Sequence, residues 1–355
     1  MNLLAPLFGL IYGAPRPAGR EPPRKILLIR RNGIGDMICA LPLVRRLRAG
    51  FPAARLDMLA SERNACIVQG SSIVDRVIVY RRGSGLLRNH YFNLPRLVRP
   101  IRDEGYDITI AIAGGFSKLL AVITYATGSP RRLGFIPPAG HALEFCFSVP
   151  VLQPIAREHQ IERCLRLAEP LDIPPSEIDV SFPLSPEHET WAEKQIADHG
   201  LRARKYALFN VSSARPEGRW TARSIKQTVE WLSHRHCVPT LLCGVGEDRE
   251  LLRGIGSPSV VTPSVHHFAA LTWQSRFLIC SDGGPMHVAA AMSTPAFVLF
   301  ASADPAAWRP WGVPFAYVRS GTRVADLGVE AVMQKLEEWL PTIPGEKWTT
   351  ARSLA

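Results

Sequence analysis

The chain has 355 residues, 46% of them hydrophobic, enough for a packed core and for two domains. Its formal charge of +11, from 42 Lys and Arg against 31 Asp and Glu, favours an anionic partner, although a well-solvated surface carries such a charge too. Seven cysteines, an odd number without a Cys-x-x-Cys pair, argue against a disulfide framework and a thiolate zinc site and for buried thiols in a reducing compartment.

The first stretch, LLAPLFGLIYG at Leu3–Gly13, is apolar but broken by Pro6 and Gly9. It falls short of the roughly 20 residues of a membrane span. No basic residue precedes it, so a cleaved signal is not expected. APRPAGREPPRK follows, and residues 1–24 read as a flexible leader. The alternative is an apolar tip, followed by Arg16, Arg20, Arg24 and Lys25, resting on an anionic membrane.

From Lys25 onward short β-type runs alternate with helical patterns. KILLIR is a strand, and Asp36–Pro52 is helical with Pro42 inside its first turns. Arg55–Ala60, Val74–Tyr80 and Tyr106–Gly114 read as strands, with helices at Leu94–Gly105 and Phe116–Thr127. RRLGF, LEFCFSV and a helix at Glu158–Leu171 close this half. A proline-rich joint, LDIPPSEIDVSFPLSPE, marks the boundary between a domain at 25–175 and another at 176–345. Beyond it, helices are expected at His188–Gly200, Thr221–His236, Glu247–Ile255, Ser264–Ser275, Pro285–Met292 and Val324–Leu340. Strands are expected at Lys205–Ser212, Pro239–Gly244, Arg276–Asp282 and Pro295–Phe300. Such alternation predicts an α/β fold of two Rossmann-like domains facing across a central cleft, with ligands at the carboxyl ends of parallel strands.

Three loops at strand ends carry chemistry. In RNGIGD, Gly33 and Gly35 allow a close backbone approach beside Asn32, and helix-start amides suit an anion. Asp36 is either an acid favoured at a helix N-terminus or a general base. In NVSSARPEGRW, Ser212 and Ser213 suit phosphate oxygens, and Arg215 and Arg219 suit the charge of a diphosphate. In CSDGGPMHVAAAM, Gly283, Gly284 and the first helical amides form a phosphate cradle. Asp282 suits sugar hydroxyls, and His287 suits a phosphate or a cap carbonyl.

The chain has no Asp-x-Asp, no GxSxG and no GxxxxGK[ST]. The histidines at 234, 236, 266 and 267 lack supporting acids, so no metal site is expected. Aromatic residues are not interleaved with basic ones on a strand, so no nucleic-acid surface is expected. NGIGDM is not GxGxxG, which removes a dinucleotide-dependent oxidoreductase.

Three segments together, Ile26–Leu59, the Arg219-Trp220 pair after a serine and arginine loop, and Ser281–Gly312, resemble glycosyltransferase family 9, the lipopolysaccharide-core heptosyltransferases. The resemblance runs over roughly residues 25–340. It implies a GT-B fold and an inverting, metal-independent transfer without a cofactor. The implied donor is a nucleotide-diphosphate sugar, typically ADP-heptose, and the acceptor a lipid-linked or phosphorylated saccharide at the cytoplasmic face of the inner membrane. Carried over residue by residue, it makes Asp36 the catalytic base and Ser212 and Ser213 the donor-phosphate pair. Arg219 stands where the family has lysine. Glu247, with Glu250 as its rival, becomes the ribose acid, and Asp282 and His287 fall in the family's second block. A GT-B nucleotide-sugar epimerase or hydrolase, or a non-catalytic nucleotide-sugar binder, remains the alternative.

Overall fold

Strands apolar at every position are buried on both faces, and here they lie in parallel sheets. The computed structural model describes residues 4–19, 21–80, 94–154 and 157–344. Contacts divide the chain into two units, Met1–Asp179 and Val180–Ala355. In the first, β1 (Lys25–Arg30), β2 (Arg55–Ser61), β3 (Arg76–Tyr80), β4 (Ile108–Ala111), β5 (Arg131–Ile136) and β6 (Val149–Leu152) form one sheet in the order β3-β2-β1-β4-β5-β6. Every neighbouring pair is parallel, and Ile26 aligns with Leu56 on one side and Ile108 on the other.

The second unit repeats the plan. β7 (Ala207–Asn210), β8 (Thr240–Gly244), β9 (Ser259–Val261), β10 (Phe277–Ser281), β11 (Ala296–Phe300) and β12 (Phe315–Arg319) run in the order β12-β11-β10-β7-β8-β9, again all parallel. Counted within each unit, both sheets have the Rossmann order 3-2-1-4-5-6. The order reverses between β1 and β4 and between β7 and β10, which opens a crevice at the carboxyl ends of those strands.

In the first unit α1 (Leu4–Tyr12) precedes the sheet, α2 (Ile34–Gly50), α3 (Leu94–Asp103) and α4 (Lys118–Ala126) lie in crossovers, and α5 (Gln160–Arg166) follows the sheet. The second unit has α6 (Pro186–Asp198), α7 (Ala222–His236), α8 (Arg249–Ile255), α9 (Val265–Gln274), α10 (Gly284–Ala291), α11 (Pro305–Trp308) and α12 (Val329–Trp339). α2 continues through Pro42. One core gathers Leu27, Ile29, Tyr106, Tyr125 and Phe147; the other gathers Phe209, Trp220, Phe277, Phe297 and Trp339. No described helix is long and apolar enough to cross a membrane.

β9, α11 and β12 are too short, or too exposed at the sheet edge, to leave a periodic signal. Residues 4–12, expected within a flexible leader, form α1, and Phe8 sets its ring 5.6 Å from Tyr125 and 5.2 Å from Phe145. Arg102 donates to the Ala14 carbonyl and Arg16 to that of Tyr106, which ties the following segment down. Leu3 and Arg20 of that expectation lie outside the described residues.

α6 meets α9 through histidines. His188 stacks on His266 at 5.1 Å and meets His267 edge-on at 4.8 Å, with Phe182 and Trp191 closing the group. Burial, and then the neighbouring histidines, push His266 below the ordinary value of 6.5. Burial and His188 do the same to His267, against an opposing pull from Glu187. A histidine depressed in the folded state favours folding while neutral. Its contribution is whole above about pH 6.5 and is lost as pH falls through the depressed value. The melting temperature is therefore expected to drop between about pH 7 and pH 5. The drop is expected to be smaller in His266→Phe, which keeps a ring against Phe182 and His188; equal drops in both proteins would remove the cluster as the cause.

Candidate active site

β1 ends in Arg30, whose side chain is 0% exposed. A buried guanidinium must spend its donors on oxygen atoms. Nη2 donates to Oδ1 of Asp36 at 2.7 Å, Nε to the Asp36 carbonyl at 3.0 Å, and Nη1 to the Ile112 carbonyl, just past β4, at 3.0 Å. The second carboxylate oxygen, Oδ2, accepts from the Gly33 N–H at 3.1 Å. Gly33 caps α2 and Asp36 is its third residue, where an acid satisfies a cap amide and favours the helix dipole. The Asp36 side chain keeps 23% exposure.

Gly33 has φ −79°, which any residue adopts, but a Cβ there would sit 3.4 Å from Asp36 Oδ2. Gly35 is buried in the first turn of α2. Asn32 is exposed, and its carbonyl accepts from the Ser61 hydroxyl at 3.1 Å. Sequence reasoning missed Arg30; the available signal was a basic residue closing an otherwise apolar strand.

In the second unit the loop after β7 is pinned at both ends. Asn210 Oδ1 accepts from the Ser212 N–H at 3.1 Å, and buried Trp220 donates from Nε1 to the Leu327 carbonyl at 3.2 Å. Between them, a Cβ on Gly218 would fall 2.2 Å from Ser213 Oγ, so any larger residue there must turn the Ser213 hydroxyl out of its place. The Ser281 hydroxyl donates to the Gly218 carbonyl, joining this loop to the end of β10. Ser213 Oγ donates to the Arg215 carbonyl at 2.8 Å.

An acid absent from the sequence expectation organises this site. Asp248, with its side chain 0% exposed, accepts at Oδ2 from the Ser212 hydroxyl at 2.5 Å and from the Val245 N–H at 3.1 Å. Arg219 Nη2 lies 3.3 Å from its Oδ1, an ion contact rather than an aligned hydrogen bond, and the Arg219 side chain is 42% exposed. Glu247, the expected ribose acid, is exposed in the 3-10 turn after β8, and Glu250 is exposed in α8. Two adjacent acids look alike in sequence; burial and the Val245 amide set Asp248 apart.

The loop after β10 supplies the remaining groups. Gly283 caps α10 at φ +132°, a region that L side chains rarely adopt. Gly284 starts that helix, whose first-turn amides have no partner within it. Burial raises the Asp282 carboxyl above the ordinary range, with Arg215 pulling it down. His287 is 2% exposed, its ring edge-on to Trp308 with centroids 6.0 Å apart. Serine hydroxyls, two arginines and a glycine-capped helix start thus collect at the reversal between β7 and β10, a set suited to an anion.

Solved structures share this fold. A family 9 glycosyl transferase from Veillonella parvula superposes with TM-score 0.76 at 18% identity, covering 90% of this chain and 97% of that one. The E. coli heptosyltransferase WaaC, solved with ADP, gives 0.69 at 18%, covering 90% and 99%. The architecture is that of a GT-B glycosyltransferase. E. coli K12 lipopolysaccharide heptosyltransferase 3 is 24% identical over 290 residues, 78% of this chain and 82% of that one. Residues 94–336 match the model of glycosyltransferase family 9 (heptosyltransferase), more than half of the chain, and the chain belongs to that family.

Proposed function

We propose that the protein moves a sugar, heptose from ADP-heptose, onto a phosphorylated saccharide of the lipopolysaccharide core, with inversion and without a metal. The observation that carries this reading is the anion-suited set at the β7–β10 reversal, with Arg219 and Ser212 held by one buried carboxylate. The relative solved with ADP and the relatives named for lipopolysaccharide heptose transfer support the choice of donor and acceptor.

Asp36 takes the proton of an acceptor hydroxyl. That oxygen bonds to the anomeric carbon as the bond from carbon to phosphate oxygen breaks, and the nucleoside diphosphate leaves with the electron pair. Arg219 and the amides at the start of α10 receive the developing charge, work that a metal does in other transferases, and Ser212 and Ser213 join them by turning their hydroxyls from Asp248 and the Arg215 carbonyl. The chain has no Asp-x-Asp, and among the described residues no three His, Cys, Asp or Glu side chains gather as a ligand set. Asp282, Glu247 and His287 are assigned to the donor side, with the sugar and ribose hydroxyls as partners of the two acids.

With EDTA present, the wild type is expected to transfer from ADP-heptose, and Asp36→Asn to be slower by about a hundredfold or more with near-normal donor affinity. A variant at half the wild-type rate sinks the base assignment. Activity lost on chelation and restored by magnesium or manganese sinks the metal-free mechanism. Product analysis with and without acceptor separates transfer from hydrolysis.

Arg219→Ala is expected to weaken ADP binding about tenfold or more, because a charge-assisted partner of the diphosphate is lost, while Arg219→Lys retains part of the activity. Calorimetric titration showing unchanged affinity in the alanine variant would move the phosphate site elsewhere.

The reading extends to location, the cytoplasmic face of an anionic membrane. α1 carries no charge, and it shows Leu7, Leu10 and Ile11 to solvent at 49%, 85% and 57% exposure. The first acid in the chain is Glu21, while Arg16 and Arg24 follow the helix. Each basic group near an anionic surface contributes about 1 kcal/mol. Cosedimentation with phosphatidylglycerol vesicles is expected to weaken with salt and to fall in Leu10→Ser/Ile11→Ser and on deletion of residues 1–20. Transfer to a soluble acceptor fragment survives both changes. Equal binding to neutral vesicles, or no effect of either change, would remove the helix as a membrane contact.

A further inference from the structure

We propose that Arg30 is a positioning residue for the catalytic carboxylate, fixing both where Asp36 sits and which counter-charge it carries. The inference rests on the reading of Asp36 as the base. One fully buried guanidinium holds Asp36 twice, at Oδ1 of the side chain and at the main-chain carbonyl, and its third contact reaches Ile112 past β4. The carboxylate is thereby fixed relative to the ends of the two strands that flank the crevice of this sheet. Arg30 is itself anchored, since buried Asn64 donates from Nδ2 to the Arg30 carbonyl at 3.1 Å and accepts from the Ser61 N–H at 2.8 Å.

While burial raises the neighbouring thiols of Cys39 and Cys164, Asp36 is the acid that meets Arg30, at 2.7 Å. A lysine at this position would keep the charge but would offer one point of contact in place of a planar fork. A carboxylate free to turn loses alignment with the acceptor hydroxyl, and a displacement of about 1 Å can cost on the order of a hundredfold in rate.

The test is a double-mutant cycle on the full chain, with ADP-heptose as donor, reading kcat, donor KM and melting temperature. Arg30→Lys and Arg30→Met are made alone and in the Asp36→Asn background. Arg30→Lys alone is expected to lower kcat about tenfold or more with donor KM within about twofold. In the Asp36→Asn background the same substitution should change kcat by less than about twofold, because two residues acting as a unit are not additive. Arg30→Lys retains the buried charge, so the cycle stands even where Arg30→Met does not fold. Losses that multiply in the double variant, or a rise in donor KM tracking the fall in kcat, would mean a merely structural arginine and overturn the proposal. Full activity in Arg30→Lys beside an inactive Asp36→Asn would overturn the positioning role and leave the base reading intact. Near-normal activity in Asp36→Asn would overturn the base reading itself, and the positioning role with it.

Discussion

A parallel strand buried on both faces has little room for a charge away from its ends unless a partner meets it there, as Arg55 and the Tyr106 hydroxyl meet Asp57 inside β2, and this constraint sets where most of the chemistry can occur in the chain. β1, β8, β10 and β11 are buried along nearly their whole length. Polar function is displaced into the loops that follow them. Because each sheet reverses its order once, the loops after β1 and β4 diverge in one unit and those after β7 and β10 in the other. Every residue assigned to the transfer reaction above lies at the end of one of these strands or of the neighbouring β8, in the loop after it, or on the first turns of the helix that follows.

The two sites use the same clip with opposite polarity. In each, an acid accepts from the amide three residues earlier, Asp36 from Gly33 and Asp248 from Val245, both at 3.1 Å, and each acid meets an arginine. In the first unit the arginine is the member with 0% exposure and the carboxylate reaches solvent; in the second the carboxylate has 0% exposure and the arginine reaches solvent. A buried cation thus presents an acid, and a buried anion presents a base-stable cation. The first arrangement suits proton abstraction, the second the holding of a diphosphate. Removing one partner of a buried pair costs about 3–5 kcal/mol, so each clip is also a fold constraint, less so where one partner is as exposed as Arg219.

Most of the architecture was legible because apolar runs and helical periods alternate cleanly from Lys25 onward. The glycine at 283, the acid at 36 and the serine and arginine loop could be placed at strand ends from pattern alone. Pattern alone could not give distinctions that depend on burial. Glu247 and Asp248 differ by one position in sequence, yet one faces solvent and the other disappears under Ser212 and Arg219. Arg30 looked like the polar end of a strand until its three oxygen partners were seen. For His287 the sequence showed the residue type but not its burial or the Trp308 ring beside it. Leu4–Tyr12 lacked a charged face, so no amphipathic pattern announced α1; its rings Phe8 and Tyr12 fix it by packing on the first core.

The division of labour between units has a consequence for how defects in this protein should be read. The anion-suited groups belong to one sheet and the candidate base to the other, and each set is held by contacts within its own unit. On the proposed reading, donor affinity is a property of the second unit, and the proton transfer a property of the first. A substitution that disturbs the Asp248 clip should appear first in nucleotide binding. One that disturbs the Arg30 clip should appear first in turnover, because it alters the acid while leaving the leaving-group contacts in place. Binding and chemistry are therefore separable in principle by side chain, and the inverted polarity of the two clips is the physical reason that each side specialises.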